Sequence, residues 1–239
     1  MTQERGGSVV DPGENPMIVY GSSISPFVRK VLAFASEKGV AVEVVRAGMG
    51  QGGPEFAEAS PFAKMPALRD PGADDGRDFV ISDSTAICHY IEAKHPEHPL
   101  IPADPIRRAR VVWFDEFADT MLAAAGGKMF FNRFVAPKLL NRDGDEGIAS
   151  RAEAEELRPL LDYLEPIVPT EGFLVGDTLT LADIAVASPF VNLHHIGWMR
   201  DPAYWPRLAG YVTAILARPS FAPMIASEQR MIAGMNRAA

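Results

Sequence analysis

The feature that most narrows the folds open to this chain is a change of hydrophobic period near residue 105. Before it, short apolar runs that read as strands alternate with segments of helical spacing; after it, only the 3.6-residue period remains. Residues 17–20 (MIVY) are a buried-strand run that enters a Gly-Ser turn, and a helix starts at once. Ser25 stands before Pro26, which suits the first helical position, and Val28, Val31, Leu32 and Ala35 recur at helical spacing as far as Gly39. Residues 41–45 read as a second strand, GMGQGG at 48–53 as a loop and 54–59 as a short helix. A hairpin is expected from 67–69 and 79–81, joined by the polar stretch 70–78, and Ser82-Asp83-Ser84 opens a helix that runs to about Lys94. The order is β-α-β-α-β-β-α. Past the Pro-rich HPEHPLIPADP, helices are expected over 105–125, 128–140, 150–165, 180–193, 204–216 and 220–235, with capping boxes at Ser150/Glu153 and Thr180/Asp183. The fold class is therefore α/β plus all-α: a small mixed domain over 17–98, a linker over 99–105 and an all-helical domain over 106–239.

Residues 1–16 are rich in Gly, Pro and charge and lack the apolar core of a secretory signal, so a flexible leader is expected there. The 23 Lys and Arg against 31 Asp and Glu give a formal charge of −8, which repels polyanions and excludes a nucleic-acid backbone binder. No apolar run is long enough to span a bilayer, and Cys88 alone permits no internal disulfide. A soluble cytoplasmic protein with no membrane partner is expected.

Around Ser25 a hydroxyl sits beside free amides at the positive end of a helix dipole, a place that favours a thiolate. The thioredoxin architecture puts a Cys-x-x-Cys pair there; here the positions are Ser25 and Val28, which excludes dithiol chemistry by the protein itself. A thiol would arrive with a ligand, and a serine hydroxyl donating to its sulfur favours the ionised form. Lowering a thiol pKa from about 8.5 by about 2 units takes only ~2.7 kcal/mol, yet raises the thiolate fraction at pH 7 from about 3% to about three-quarters. The plainer reading makes Ser25 a helix N-cap worth about 1 kcal/mol.

Met65-Pro66 also has two readings: a trans proline opening a strand, or a cis turn that leaves the Met65 backbone to pair with a peptide ligand. Asp83-Ser84 is either a helix cap or a holder of a zwitterionic amino-acid head, the carboxylate on the ammonium and Ser84 with the helix amides on the carboxylate. Cys88 shares an apolar helix face with Ile87 and Ile91 and reads as a small hydrophobe. His89, His95, His98, His194 and His195 lack metal-site spacing, and no metal is expected.

SSISPFVRKVLAFASEKGV, KMPAL, ISDSTAICHYIE and LTLADIAVA, in this order, resemble the cytosolic glutathione S-transferase family over about residues 17 to 225. The resemblance implies a thioredoxin-like domain holding glutathione as cosubstrate, a helical domain supplying most of the electrophile pocket, and a homodimer. Ser-Pro-Phe is similar to the serine-type tau class and to the omega class, which makes Ser25 the first candidate for thiol contact and Phe27 a neighbour of glutathione. Ser22 is second, by likeness to the Ser-Ser-Cys of the zeta class, although Ile24 replaces that cysteine and weakens an isomerase assignment. Tyr20 is third, by likeness to tyrosine-type classes. Lys64-Met65-Pro66 is implied to give a cationic contact and backbone pairing to the cysteinyl part, and Asp83-Ser84 to hold the γ-glutamyl group. Arg46 or Gln51 is the candidate for a further basic or polar contact after the second strand. Phe117 and Met121, four apart, are candidates for the electrophile pocket.

The implied activity is a detoxifying transferase (glutathione transferase) that adds the glutathione sulfur to hydrophobic electrophiles. Aryl-ether cleavage, dehalogenation and peroxide reduction are neighbouring reactions. The rival is a non-catalytic binding or regulatory protein on the same fold.

Overall fold

The computed structural model describes residues 16–48, 50–199 and 201–238; the expected leader lies outside them except for Pro16. Strand β1 (Met17–Tyr20) buries Met17, Val19 and Tyr20 and feeds α1 (Pro26–Glu37). Pro26 presets the first turn, Val28, Val31, Phe34 and Ala35 are buried, and Gly39 at φ 70° ends the helix. Next come β2 (Val42–Val45), α2 (Gly53–Ala59), the hairpin β3 (Ala67–Asp74) and β4 (Arg77–Ser82), and α3 (Ser84–Lys94). The sheet order is β2-β1-β3-β4, with β2 parallel to β1 and both other pairings antiparallel. This is a thioredoxin-like β-α-β-α-β-β-α unit, and a helical region follows it. The hairpin is longer than the sequence suggests, because the strands continue through the polar stretch with an irregularity between Asp70 and Asp74 and turn at Asp75-Gly76.

Register brings the motifs together. Ala67, at the start of the inner strand β3, pairs with Tyr20 at the end of β1 and with Ser82 at the end of β4. Antiparallel pairing on both sides therefore gathers the segments that follow β1 and β4 and the one that precedes β3 at one edge of the sheet. Ser22–Ser25, Lys64–Pro66 and Asp83–Ser84 meet there.

The helical region differs from its expected boundaries. In place of helices over 105–125 and 128–140, one winding runs without a break: α4 (Pro105–Phe117), a π-helical turn (Ala118–Leu122), α5 (Ala123–Phe130) and a second π-helical stretch (Phe131–Leu139). Gly126-Gly127 does not stop it. A Cβ on Gly126 would stand 3.4 Å from the Leu193 side chain, so this glycine permits close approach to α8 (Leu181–His195). Ser150 is no cap. Asp145 takes that place, accepting from the Ile148 amide at 2.9 Å, and α6 (Glu146–Arg151) continues through a π turn (Ala152–Leu157) into α7 (Arg158–Leu164). Tyr204 and Ser220 precede rather than open α9 (Pro206–Leu216) and α10 (Ala222–Ala238). Among the described residues no helix is long and apolar enough to cross a membrane.

Every residue of α8 from Leu181 to Leu193 is buried, as expected of a helix at the centre of a core. One continuous apolar cluster joins Val19, Val28 and Leu68 of the first unit to Val111, Ile184 and Phe221 of the second. The box at Thr180/Asp183 anchors α8. Its Asp183 carboxylate is buried and accepts from the amides of Leu174 and Thr180, both 2.8 Å, from the Thr180 hydroxyl at 3.0 Å and from the Tyr211 hydroxyl at 2.6 Å. Asp183→Ala would orphan these donors and should cost about 3 kcal/mol, read as a lowered urea midpoint at unchanged slope.

Candidate functional site

Ser25 occupies the N-cap position of α1 in extended conformation (φ −76°, ψ 127°), but its hydroxyl makes no capping hydrogen bond. Its amide donates to the Ser22 carbonyl at 2.9 Å, closing the turn, and its carbonyl accepts from the Arg29 amide at 3.0 Å. The chain leaves β1 through Gly21, at φ 150°, where a Cβ would lie 2.5 Å from a Val28 methyl and 3.4 Å from the Met65 Cβ. Only glycine lets the turn pass so close beneath both side chains.

Two clefts open on this turn. The first, about 620 Å³, is lined by Ser25, Phe27, Phe62, Lys64, Met65, Pro66, Ser82–Thr85 and the helix residues Glu116, Asp119 and Thr120. The second, about 580 Å³, is almost wholly apolar: Ile24, Pro26, Met65, Phe130, Phe131, Val135, Leu139 and Leu140 line it, with Ser25 and Asn192 as its polar members. Ser25 and Met65 belong to both.

In the polar cleft, the Met65-Pro66 bond is cis, the second of the two readings of that dipeptide. Met65 lies before the strand ladder, which begins at Ala67. The Ser60 hydroxyl holds its approach, donating to the Lys64 carbonyl at 2.7 Å and accepting from the Lys64 amide at 2.9 Å. Asp83, at φ 90°, uses one carboxylate oxygen as the cap of α3, accepting from the amides of Thr85 and Ala86 at 2.9 and 3.1 Å. Both capping bonds go to Oδ1, so the cap and the ammonium-holding reading are compatible, the second through Oδ2.

Ser84 is buried and donates to Asp119 at 3.2 Å. Asp119 also meets the buried Lys30 ammonium at 2.6 Å, which pairs with Asp115 at 2.7 Å; Thr85 donates to Asp115 at 2.8 Å. Burial works against the Lys30 ammonium, but Asp115 and Asp119 outweigh it and its pKa is raised. Burial pushes the Asp119 carboxyl up in turn, with Lys30 opposing. Two carboxylates share one ammonium, so the cleft floor carries an excess negative charge that suits an incoming ammonium group.

The remaining candidates lie elsewhere. Tyr20 is buried with Phe56 below α2, its hydroxyl donating to Glu55 at 3.4 Å and accepting from Arg69 at 3.3 Å, so it lines neither cleft. Ser22 and Arg46 line a small cavity with Ser227 and Glu228. Gln51 bridges the Gly48 backbone. Phe117 and Met121 line neither cleft: Phe117 is buried against the Tyr163 ring at 5.3 Å, while Met121 is exposed. The apolar wall comes instead from Phe130 to Leu140, one long stretch further along the same winding. Cys88 is fully buried, and burial pushes its thiol far up, away from reactivity. Among the described residues no group of three or more His, Cys, Asp or Glu is placed to hold a metal ion.

Residues 19–99 match the glutathione S-transferase N-terminal domain and residues 135–228 its C-terminal domain. The chain is 30% identical to glutathione S-transferase 3 of Zea mays over 89% of this chain and 94% of that protein. It is 28% identical to FtsZ-localized protein A of Caulobacter vibrioides over 72% and 75% of the two chains. Among solved structures, glutathione S-transferase III in its apo form superposes with a TM-score of 0.71 at 29% identity, covering 89% of this chain and 96% of that one.

Lys30→Met should cost about 3 kcal/mol at pH 7, because Asp115 stays buried and Asp119 half-buried without their cation. A carboxyl whose folded pKa is raised contributes stability below its unfolded value and loses it as pH climbs through the folded one. The deficit should therefore shrink between pH 7 and about pH 5, measured by denaturant unfolding at both; a deficit independent of pH would contradict the charge account.

Proposed function

The chain belongs to the glutathione S-transferase family, and on that premise we propose that it is a glutathione transferase that ionises the glutathione thiol against Ser25 and adds it to hydrophobic electrophiles. The observation that carries this reading is that the Ser25 hydroxyl, free of any capping bond, borders a polar cleft on one side and an apolar cleft on the other.

Glutathione fits the first cleft by chemistry. The γ-glutamyl ammonium meets the excess negative charge at Asp119, and the γ-glutamyl carboxylate takes the Ser84 end of α3. The cysteinyl peptide group pairs with the Met65 backbone, Phe27 packs beside the tripeptide, and Lys64 faces its second carboxylate. The sulfur then lies over Ser25, whose hydroxyl donates to it and favours the thiolate, the proton passing to water. An electrophile in the apolar cleft presents its carbon to that sulfur; a carbon–sulfur bond forms while the leaving group departs with its electron pair. A homodimer working in the cytoplasm is part of the same reading.

The second reading, a binding role without turnover, is favoured by the similarity to FtsZ-localized protein A. Retention on immobilised glutathione and the ultraviolet thiolate band of the bound tripeptide against pH separate the two, since binding without ionisation belongs to the second. Ser25→Ala should lower kcat about tenfold or more while changing glutathione affinity less than about threefold; an unaltered rate takes the role from Ser25 and returns it to the other candidates, Ser22 and Tyr20. Chlorinated, nitroaromatic, aryl-ether and peroxide substrates, assayed in parallel, identify the electrophile.

A further inference from the structure

The turn that presents Ser25 is held from outside its own unit. The Asn192 amide, on α8, donates to the Ile24 carbonyl at 2.8 Å, and the Ser188 hydroxyl, one helical turn earlier, donates to the Pro26 carbonyl at 2.7 Å. These are the carbonyls on either side of Ser25. Both side chains are held in turn by Arg29, fully buried, whose Nη1 donates to the Asn192 Oδ1 at 3.0 Å and to the Ser188 carbonyl at 2.9 Å and lies 3.5 Å from its hydroxyl. The rest of the guanidinium pairs with Glu228 of α10 through Nε at 3.2 Å and Nη2 at 2.9 Å. Glu228 also meets His195 at 2.7 Å and the Ser23 hydroxyl. Burial raises its carboxyl, but His195, Arg29 and Ser23 outweigh burial and lower it, so it stays ionised opposite Arg29.

We propose that Asn192 and Ser188 are positioning residues for the thiol site: through the Ile24 and Pro26 carbonyls they fix the peptide group that enters Ser25 and the one that leaves Pro26, so the helical half of the molecule sets the direction of the Ser25 hydroxyl. The inference rests on the glutathione reading for its consequence and on the hydrogen bonds alone for its mechanism. Local fit explains why these polar residues stand in α8, whose other residues from Ile184 to Leu193 are all apolar. A buried amide and hydroxyl persist in a core where they are bonded, and each of these is bonded to the same turn.

The experiment uses the full chain with Asn192→Ala, Ser188→Ala and the conservative Ser188→Thr. In the first two, the thiol of bound glutathione should ionise at a pH higher by about half a unit or more and kcat should fall about tenfold, with KM for glutathione within about threefold. Ser188→Thr keeps the hydroxyl and should restore both. Ser188→Ala removes one oxygen atom and carries the test where Asn192→Ala fails to fold. Hydrogen exchange of the Ser25 amide in the ligand-free protein should quicken about tenfold in both alanine variants. Exchange that stays at the parent rate overturns the proposal, as does faster exchange with thiol ionisation unmoved. A parent protein that binds glutathione without a thiolate band defeats the transferase reading instead, and the exchange arm still judges the tether.

Discussion

Helix α1 places two cations side by side, Arg29 and Lys30, and buries both completely. A charge out of water must be met by an opposite charge, and the first unit supplies neither partner. Glu228 comes from α10, close to the end of the chain, and Asp115 and Asp119 from α4 and the turn after it. The α/β unit therefore completes its electrostatics only when the helical region is docked in one particular arrangement. Ion pairs of this kind add little net stability over an apolar core of equal volume, but a misdocked arrangement would leave a bare charge. The apolar cluster shared across the two units supplies the driving force, and the two cations select the geometry.

That geometry places the chemistry. The helix that carries both cations begins at Ser25, so whatever fixes its flanks also fixes its tip. On one side of the tip, Asp119 lines the polar cleft with the buried Lys30 and Asp115 behind it; on the other, Arg29 ties to α8 beside the apolar wall. On the transferase reading proposed above, a hydrophilic tripeptide and a hydrophobic partner would reach one serine from opposite directions, and a sulfur partly withdrawn from water there would feel every electrostatic contact more strongly.

Much of this was legible in the chain itself. Strand and helix order follows from the two hydrophobic periods, and Thr180 with Asp183 marks the start of α8 by capping chemistry alone. Ser25, Met65-Pro66 and Asp83-Ser84 stand out as local motifs, although only the pairing of Ala67 with both Tyr20 and Ser82 explains why they meet. Other features depend on competition between distant groups. Asp145 caps the helix through the Ile148 amide, and Ser150, already inside it, donates to Glu146 instead. Gly126-Gly127 looks like a stop, yet close packing on Leu193 makes it part of a helix. Phe117 and Met121 fit a substrate face by spacing, but Phe117 is taken up by the core beside Tyr163 and Met121 is left in solvent. The residues that do form the apolar wall, Phe130 to Leu140, share the pattern of ordinary core, and Asp119 gains meaning only from Lys30 some ninety residues earlier.

Most of the wall lies on the π-wound stretch from Phe131 to Leu139, which tolerates Pro137 within it, and Phe131 and Leu140 remain more than a third exposed. Side chains so placed contribute little to the core, so replacing them disturbs neither the buried charges nor the serine turn. For the transferase proposed above, substrate preference would in this way be uncoupled from foldability: a few side chains on one winding can change while the serine turn and the buried charges stay as they are.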